Sequence, residues 1–206
     1  MTDVIETPKE NLPKYTEFET KYRVDGDQIY AFKQIIENMD ESNDFLYVQG
    51  PDHYFVRDDS RFARYRKAEG DKSGRAEVTF KMKPAGAKNN INRREYNWRV
   101  DKTPFTEIAE GLEDQGYKFN FKIWKMCHIY KFKEVTLVFY TVRTDDGKMD
   151  HFIEIELDEA SIHDLTQEEA MEKIRKYETV LAPIGVSYRG RLTKSLFEMY
   201  VKNVQA

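Results

Sequence analysis

The sequence predicts an α+β fold in which about eight strands form one large antiparallel sheet that curls or closes on itself. Segments of alternating apolar and charged residues, joined by short polar turns, indicate the antiparallel strands. Segments with helical periodicity and capping residues lie between and after them. No internal repeat or linker divides the 206 residues, so we expect a single domain.

The first strand is expected in the segment TEFETKYRV, residues 16–24. Charged residues occupy every second position there and mostly apolar residues lie between them, which is typical of a strand with two different faces. Residues 1–14 are polar and acidic, and we expect them to be a flexible lead-in. A helix should follow the strand, with Asp27 as its N-cap and apolar residues at helical spacing after it.

The middle of the chain predicts four strands and a second helix. The four strand segments, between residues 53 and 100, are HYFVRD, RFARYRKA, AEVTFKMKP and INRREYNWRV. The helix is marked by Thr103 as N-cap, Pro104 at the first helical position and Gly116 just past the end.

The last part of the chain predicts three more strands and two more helices. The strand segments are FNFKIWKMCHIYKF, EVTLVFYTVR and DHFIEIELDE. A helix then opens with a capping box formed by Thr166 and Glu169 and closes before Pro183. The segment RLTKSLFEMYVKN predicts the last helix.

Composition excludes several classes of function. The net charge of −4 argues against a generally basic nucleic-acid surface, although a local cationic pocket remains compatible with it. Cys127 is the single cysteine, so no intrachain disulfide can form, and the four histidines lack zinc-like spacing. No apolar run approaches the roughly 20 residues that span a bilayer, and the N-terminus is unlike a signal peptide. We therefore expect a cytoplasmic protein without a membrane partner.

Five predicted strands carry one charged face each, and the signs of the charges segregate. Acidic residues dominate two strands near the chain ends, and basic residues dominate the middle strands: Glu17, Glu19, Glu154 and Glu156 against Arg64, Arg66, Lys81, Lys83, Arg93 and Arg99. A solvated outer face would give the same alternation. Helices also need apolar surface to pack on, so the charged faces could instead line the interior of a closed sheet. The residues alone leave both arrangements open.

An interior arrangement would suit a particular chemistry. Mg²⁺ is usually held by one or two carboxylates, waters and substrate phosphates, which the two Glu-x-Glu strands could provide. Arg and Lys side chains could hold the several negative charges of a triphosphate. The alternative from the same residues is an ionic sheet surface without a site.

Several segments resemble the CYTH superfamily, the triphosphate tunnel metalloenzymes, which includes thiamine triphosphatases, inorganic tripolyphosphatases and class IV adenylate cyclases. The segment EFETK resembles the opening Glu-x-Glu-x-Lys strand of that family. The resemblance continues, from about residue 15 to 201, through DHYFVRDDSRFARYRK, TFKMKP, RREY, FIEIELDE and IGVSYRGRLTKSLFEMY. It implies a closed eight-stranded antiparallel tunnel, residues 15–206, with charged side chains inside and helices packed outside.

The resemblance also implies roles for individual residues. Metal ions, Mg²⁺ or Mn²⁺, would be bound by Glu17, Glu19, Glu154 and Glu156. The substrate phosphates would be held by Lys21, Arg64, Arg66, Lys81, Lys83, Arg93 and Lys125. The catalytic group would comprise Glu17, Glu19, Lys21 and Glu95, the last as a further ligand or a water-positioning residue. Two positions depart from the family pattern, because Cys127 replaces a usual Arg and Asn97 stands where an acidic residue is common.

The activity implied is metal-dependent hydrolysis of a triphosphate, either tripolyphosphate, a nucleoside triphosphate or thiamine triphosphate. Three alternatives remain: a class IV adenylate cyclase, an RNA 5′-triphosphatase and a non-catalytic module that binds polyphosphate or nucleotide. The expected partner is a small-molecule triphosphate or an RNA 5′ end, and the chain is expected to be a monomer or a homodimer.

Overall fold

The computed structural model describes residues 15–58, 61–69, 75–82, 92–157 and 165–202, with only the backbone described for 15–17, 58, 82 and 92–95. The predicted lead-in, residues 1–14, lies outside this part of the chain. The described residues form eight strands, namely β1 (Tyr15–Val24), β2 (Asp44–Asp58), β3 (Arg61–Lys67), β4 (Ala76–Met82), β5 (Asn92–Arg99), β6 (Lys118–Lys131), β7 (Val135–Thr144) and β8 (Met149–Leu157). They also form four helices, namely α1 (Gln28–Glu37), α2 (Phe105–Asp114), α3 (Gln167–Val180) and α4 (Leu196–Tyr200). The predicted α+β class and the eight antiparallel strands are confirmed.

Strand β2 is much longer than predicted, because it begins at Asp44 and not near residue 53. The pair Gly50 and Pro51 is typical of a turn, yet both residues lie inside the ladder with β6. At Gly50, φ is +154°, and an added Cβ would come 2.5 Å from the backbone oxygen of Lys67. Glycine is therefore required here by the close approach of the backbone at the end of β3.

Two helix boundaries also differ from the prediction. Helix α2 begins at Phe105 with Pro104 as its N-cap, one residue later than expected, and Gly116 follows its end with φ of +83°. The last helix, α4, spans only Leu196–Tyr200 and starts from a capping box between Ser195 and Glu198. The capping box of Thr166 and Glu169 at the start of α3 is confirmed.

The strand order is β1-β5-β4-β3-β2-β6-β7-β8, and β1 also pairs with β8. The first four residues of β1 pair with β5, and its last six pair with β8. No residue of β1 has a partner on both sides in these two registers, so β1 crosses from one end of the sheet to the other. Closure along the full length of the sheet stays a prediction.

The helices α1, α2 and α3 pack on the outer face of the sheet. Buried residues of α1 and α3, such as Phe32 and Ile174, pack with the even-numbered residues Phe18 and Tyr22 of β1. Ile108 of α2 belongs to a second cluster over β3, β4 and β5. The apolar face of β1 is therefore its outer face, which directs Glu19 and Lys21 inward.

A third apolar cluster lies on the inner face of the sheet. Its members come from β2, β3, β6, β7, β8 and α4, and they include Phe62, Ile123, Tyr140, Phe152 and Phe197. The interior is consequently only partly charged, which the alternation of the charged strands did not predict. Among the described residues, no helix is long and apolar enough to cross a membrane.

Candidate functional site

A cavity of about 230 Å³ lies inside the sheet, and we call it the charged chamber. Its walls carry five cationic and four acidic side chains from five strands: Lys21, Arg64, Arg66, Lys81, Lys125, Glu19, Glu77, Glu154 and Glu156. Antiparallel strands place alternate side chains on one face, so the charged faces of β1, β3, β4 and β8 meet here. These charged side chains therefore face the interior of the sheet, and they do not form a solvated outer face.

The acidic side of the charged chamber is organised around Lys21. The Nζ atom of Lys21 lies 2.8 Å from Oε1 of Glu154 and 3.6 Å from Oε1 of Glu19. The hydroxyl of Tyr140 donates a hydrogen bond of 2.8 Å to Glu154. Burial raises the pKa of Glu154, but Lys21 and Lys125 outweigh it, so the net pKa lies well below the ordinary value. Glu154 is therefore ionised at neutral pH.

On the opposite side, Arg66 is held by Asp52, which is fully buried. The Nε and Nη2 atoms of Arg66 donate two hydrogen bonds of 2.6 Å to the two carboxylate oxygens. Burial raises the pKa of Asp52, but the charge and hydrogen bonds of Arg66 lower it to about 2. This bidentate pair fixes the guanidinium on the chamber wall and leaves its remaining N–H groups for a ligand.

Arg64, one alternation away on β3, is contacted by both neutral and acidic groups. Its Nη2 atom donates to Oγ1 of Thr79 at 3.1 Å, and that hydroxyl lies 2.7 Å from Oδ1 of Asn97. Glu77 approaches the same guanidinium at 3.7 Å. Asn97 therefore helps to orient Arg64 through Thr79, and Glu77 offsets part of the charge of the guanidinium.

Lys125 reaches the charged chamber from β6. Its ammonium lies 3.8 Å from the centroid of the Tyr140 ring, a cation–π contact. Burial lowers the pKa of Lys125. Cys127, two residues further along, is buried in the inner apolar cluster, and burial raises the pKa of its thiol. The Cys127 thiol is therefore a packing group at neutral pH.

Four predicted site residues have side chains outside the described part of the chain. Lys83 lies wholly outside it, and only the backbone is described for Glu17, Arg93 and Glu95. The strand register places Glu17 opposite Arg93 and places Glu95 opposite Lys81. Directly opposite residues share a face of the sheet, so the backbone is compatible with their prediction as site residues.

Sequence reasoning did not identify several residues that line the charged chamber or hold its lining residues in place. Glu77 lies on a charged strand face and was not assigned a role, although the alternation of β4 includes it. Asp52 precedes the expected start of its strand, so no periodicity marked it. Ser195, Leu196 and Phe197 line the charged chamber from α4 and its N-cap, and no local signal places a helix inside a sheet.

The carboxylates suit a hard divalent cation by their chemistry. Glu19, Glu154 and Glu156 line one chamber, and oxygen ligands are those that Mg²⁺ and Mn²⁺ prefer. Within the described ranges, however, no three acidic, histidine or cysteine side chains are gathered closely enough to form a metal centre. In this arrangement Lys21 takes the place of a cation between Glu19 and Glu154.

Comparisons with known proteins show the fold. No family model matches the chain, and no curated protein matches it. Among solved structures, a conserved hypothetical protein from Pyrococcus furiosus has a TM-score of 0.67 at 22% identity, covering 88% of this chain and 98% of that one. A candidate adenylate cyclase from Vibrio parahaemolyticus has a TM-score of 0.62 at 19% identity, covering 91% and 98%.

A chain of the Schizosaccharomyces pombe Mediator head module also matches, with a TM-score of 0.60 at 13% identity, covering 82% of this chain and 95% of that one. One fold can serve unrelated functions, so this likeness does not decide between an enzyme and a binding module. The similarity to the candidate cyclase extends over nearly the whole chain and agrees with the motifs. This chain therefore shares the fold of these solved structures over nearly its whole length.

Proposed function

We propose that the protein hydrolyses a triphosphate in the charged chamber, with the help of a divalent cation. The observation that carries the proposal is the lining of one small cavity by five cations and four carboxylates. A cluster of this kind is costly to bury unless the charges are paired or meet a ligand. A triphosphate together with a divalent cation would satisfy both signs.

The cationic residues are assigned to the phosphates. Arg64 and Arg66 are held in place by Thr79 and Asp52, so little side-chain entropy is lost when a phosphate binds. Lys81 and Lys125 add two ammonium groups, and Lys125 rests on an aromatic ring. These four charges would stabilise the negative charge that develops on the leaving oxygen when a phosphoanhydride bond breaks. In this proposal, Lys83 and Arg93 extend the same set.

The acidic residues are assigned to the cation. Glu19 and Glu156, with Glu17 and Glu154, would hold Mg²⁺ or Mn²⁺, which would neutralise phosphate charge and activate water. Because Glu154 already accepts from Lys21 and Tyr140, loading the site requires Lys21 to share or give up this carboxylate. The freed ammonium would then face the substrate phosphates. Glu95 is proposed to orient the attacking water.

The proposal includes a closed tunnel. The ring of strand pairs through β1 supports it, since β1 pairs with β5 at one end and β8 at the other. A closed wall would exclude bulk water from the sides and strengthen every electrostatic interaction inside.

The decisive experiment is a product analysis on four substrates. The protein is incubated with tripolyphosphate, ATP, thiamine triphosphate and 5′-triphosphorylated RNA, each with Mg²⁺, with Mn²⁺ or with EDTA. We expect metal-dependent release of inorganic phosphate or pyrophosphate, and loss of turnover in EDTA. Arg64→Gln should abolish most of the activity, whereas Arg143→Gln, at an exposed position over Trp124, serves as the matched control.

The other functions give different products. Cyclic AMP with pyrophosphate would indicate a cyclase, and turnover of RNA alone would indicate an RNA 5′-triphosphatase. Tight binding of tripolyphosphate by folded protein without turnover would indicate a binding module. Neither binding nor turnover of any of the four would overturn the proposal.

A further inference from the structure

The short helix α4 lies between two cavities. Ser195 and Phe197, at its N-terminal end, line the charged chamber. Met199 and Tyr200, at its C-terminal end, line a second cavity of about 440 Å³ together with Ile123 of the inner sheet face. The helix therefore separates the charged chamber from the space beyond it.

The surface that α4 presents to the charged chamber is apolar and well packed. The ring of Phe197 stacks on Phe62, with 4.3 Å between the ring centroids and an interplanar angle of 13°. Tyr54 and Phe121 pack around the same ring at 6.4 and 6.3 Å. Leu196 is buried beside it. These side chains close one end of the charged chamber with an apolar wall.

The wall is held at both ends of the segment. Before α4, the backbone N–H of Leu192 donates a 2.8 Å hydrogen bond to the carbonyl oxygen of Lys21. After it, the hydroxyl of Tyr200 donates to Asp150 at 2.6 Å, and Asn120 exchanges two hydrogen bonds with the backbone of Lys202. The wall is thus a fixed part of the interior.

The size of the charged chamber limits what it can enclose. Cavities that enclose drug-sized ligands have volumes of about 300–1,000 Å³, and this one has about 230 Å³. Phosphate groups would fill it, so a nucleoside would have to lie outside. An ionised phosphate pressed against phenyl rings would lose its hydration without gaining a partner. A substrate therefore has to enter with its free terminal phosphate leading and stop before the wall.

We infer that Leu196 and Phe197 form a stop that fixes which phosphoanhydride bond is cleaved, namely the terminal one. The inference rests on the proposed function. Water attacks the terminal phosphorus, the bond from that phosphorus to the bridging oxygen breaks, and the bridging oxygen leaves with its electron pair on the shortened chain. The proton of the attacking water passes to solvent. ATP would give ADP and phosphate by this step.

The test compares products, because product identity reports the position of the bound chain. ATP and tetrapolyphosphate are used, since tripolyphosphate gives the same products from either bond. We expect the wild type to convert ATP to ADP and phosphate, and tetrapolyphosphate to tripolyphosphate and phosphate. In Phe197→Ala the bound polyphosphate can advance by one phosphate group. The fraction of ATP cleaved to AMP and pyrophosphate should then rise at least about tenfold, and so should the fraction of tetrapolyphosphate cleaved to two pyrophosphates. Met199→Ala, which lies on the same helix but lines the other cavity, should keep the wild-type ratio.

Two results would overturn the inference while leaving the proposed function in place. One is an unchanged product ratio in Phe197→Ala whose folding is confirmed by a thermal melt. The other is a wild-type enzyme that already hydrolyses ATP to AMP and pyrophosphate. If Phe197→Ala does not fold, Leu196→Ala is used for the same comparison, since Leu196 lines the same wall. A folded wild type that cleaves no triphosphate would instead refute the proposed function.

Discussion

The interior of the sheet has two unlike halves. The charged half is the set of charged side chains from β1, β3, β4, β6 and β8 that line the chamber, and the apolar half is the inner cluster from β2, β3, β6, β7, β8 and α4. In the charged half, groups such as Lys21 and Arg66 are held by partners at 2.6 to 2.8 Å. In the apolar half, Ile123, Val142 and Phe152 are buried as in an ordinary core. Inward-facing side chains of one sheet thus serve two purposes, since apolar burial provides stability and paired charges provide a binding site.

This division also explains how a polar interior can be tolerated. Buried ion pairs contribute little net stability, because the cost of desolvation offsets the attraction between the charges. Apolar side chains that leave water contribute about 25 cal/mol for each square ångström buried. The apolar half, with the outer clusters under α1, α2 and α3, therefore supplies the stability that the charged half lacks.

The largest effect should come from a carboxylate of the charged half. We expect Glu156→Gln to lower triphosphate turnover at least about a hundredfold, because it removes a charge assigned to the divalent cation. Steady-state kinetics measures it, and calorimetric titration with Mg²⁺ should show weaker binding. Glu134→Gln is the matched control, because Glu134 is an exposed residue paired with Lys173. Equal activity in both variants would contradict the division into halves.

In the apolar half, the effect should fall on stability. Ile123→Ala removes most of a side chain that is 1% exposed, and should lower the free energy of unfolding by about 3 kcal/mol. Urea denaturation measures this change. The folded Ile123→Ala protein should hydrolyse the triphosphate at a rate close to that of the wild type. A large loss of turnover at full folding would show that Ile123 itself takes part in the reaction.

The pair of Asp52 and Arg66 predicts a pH dependence of stability. The pKa of Asp52 falls from an ordinary 3.8 to about 2 in the folded state, so at neutral pH the ionised carboxylate makes the fold more stable by about 2 kcal/mol than the protonated carboxyl would. Because the folded pKa is the lower one, this contribution is present above pH 4 and is lost as the pH falls toward 2. Asp52→Asn should remove that part of the acid sensitivity in denaturation curves recorded from pH 2 to pH 7. An unchanged acid transition in the variant would refute the assignment.

The smallest effects should come from two capping boxes. Thr166→Ala at α3 and Ser195→Ala at α4 each remove a side chain that accepts from the third residue of its helix, and each should cost about 1 kcal/mol of stability. Only Ser195 lines the charged chamber, so only Ser195→Ala should also alter the KM for a triphosphate. Thermal melts and kinetics on the two variants measure this. An equal KM in the two variants would show that Ser195 does not contribute to substrate binding.

Much of the fold could be predicted from local pattern. Alternation predicted β1, β3, β4, β6, β7 and β8 within one or two residues, and the capping box of Thr166 and Glu169 marked the start of α3. The first half of β2 was not predicted, and it contains Gly50 and Pro51, which are typical of a turn. In the structure, the close approach of the backbone of Lys67, the last residue of β3, requires that glycine. No local pattern indicates the partner of Arg191, which forms a bidentate pair with Glu178 of α3.

Part of the candidate site could also be predicted. The charged faces of β1, β3, β4 and β8 are regular, so alternation together with the family resemblance was enough to predict Glu19, Lys21, Arg66 and Glu156 as site residues. Asp52 was not predicted, although it fixes Arg66, because its role depends on a partner 14 residues away in the chain.

The sequence by itself determined the two faces of each strand, the segregation of acidic from basic strands, and most helix starts. These properties depend on residues within a few positions of one another, where alternation and capping apply. Only the tertiary structure decided which face lies inside, which carboxylate holds which cation, and that α4 fills part of the interior. Those outcomes depend on which distant segments come together, because burial and pairing are properties of neighbours in space.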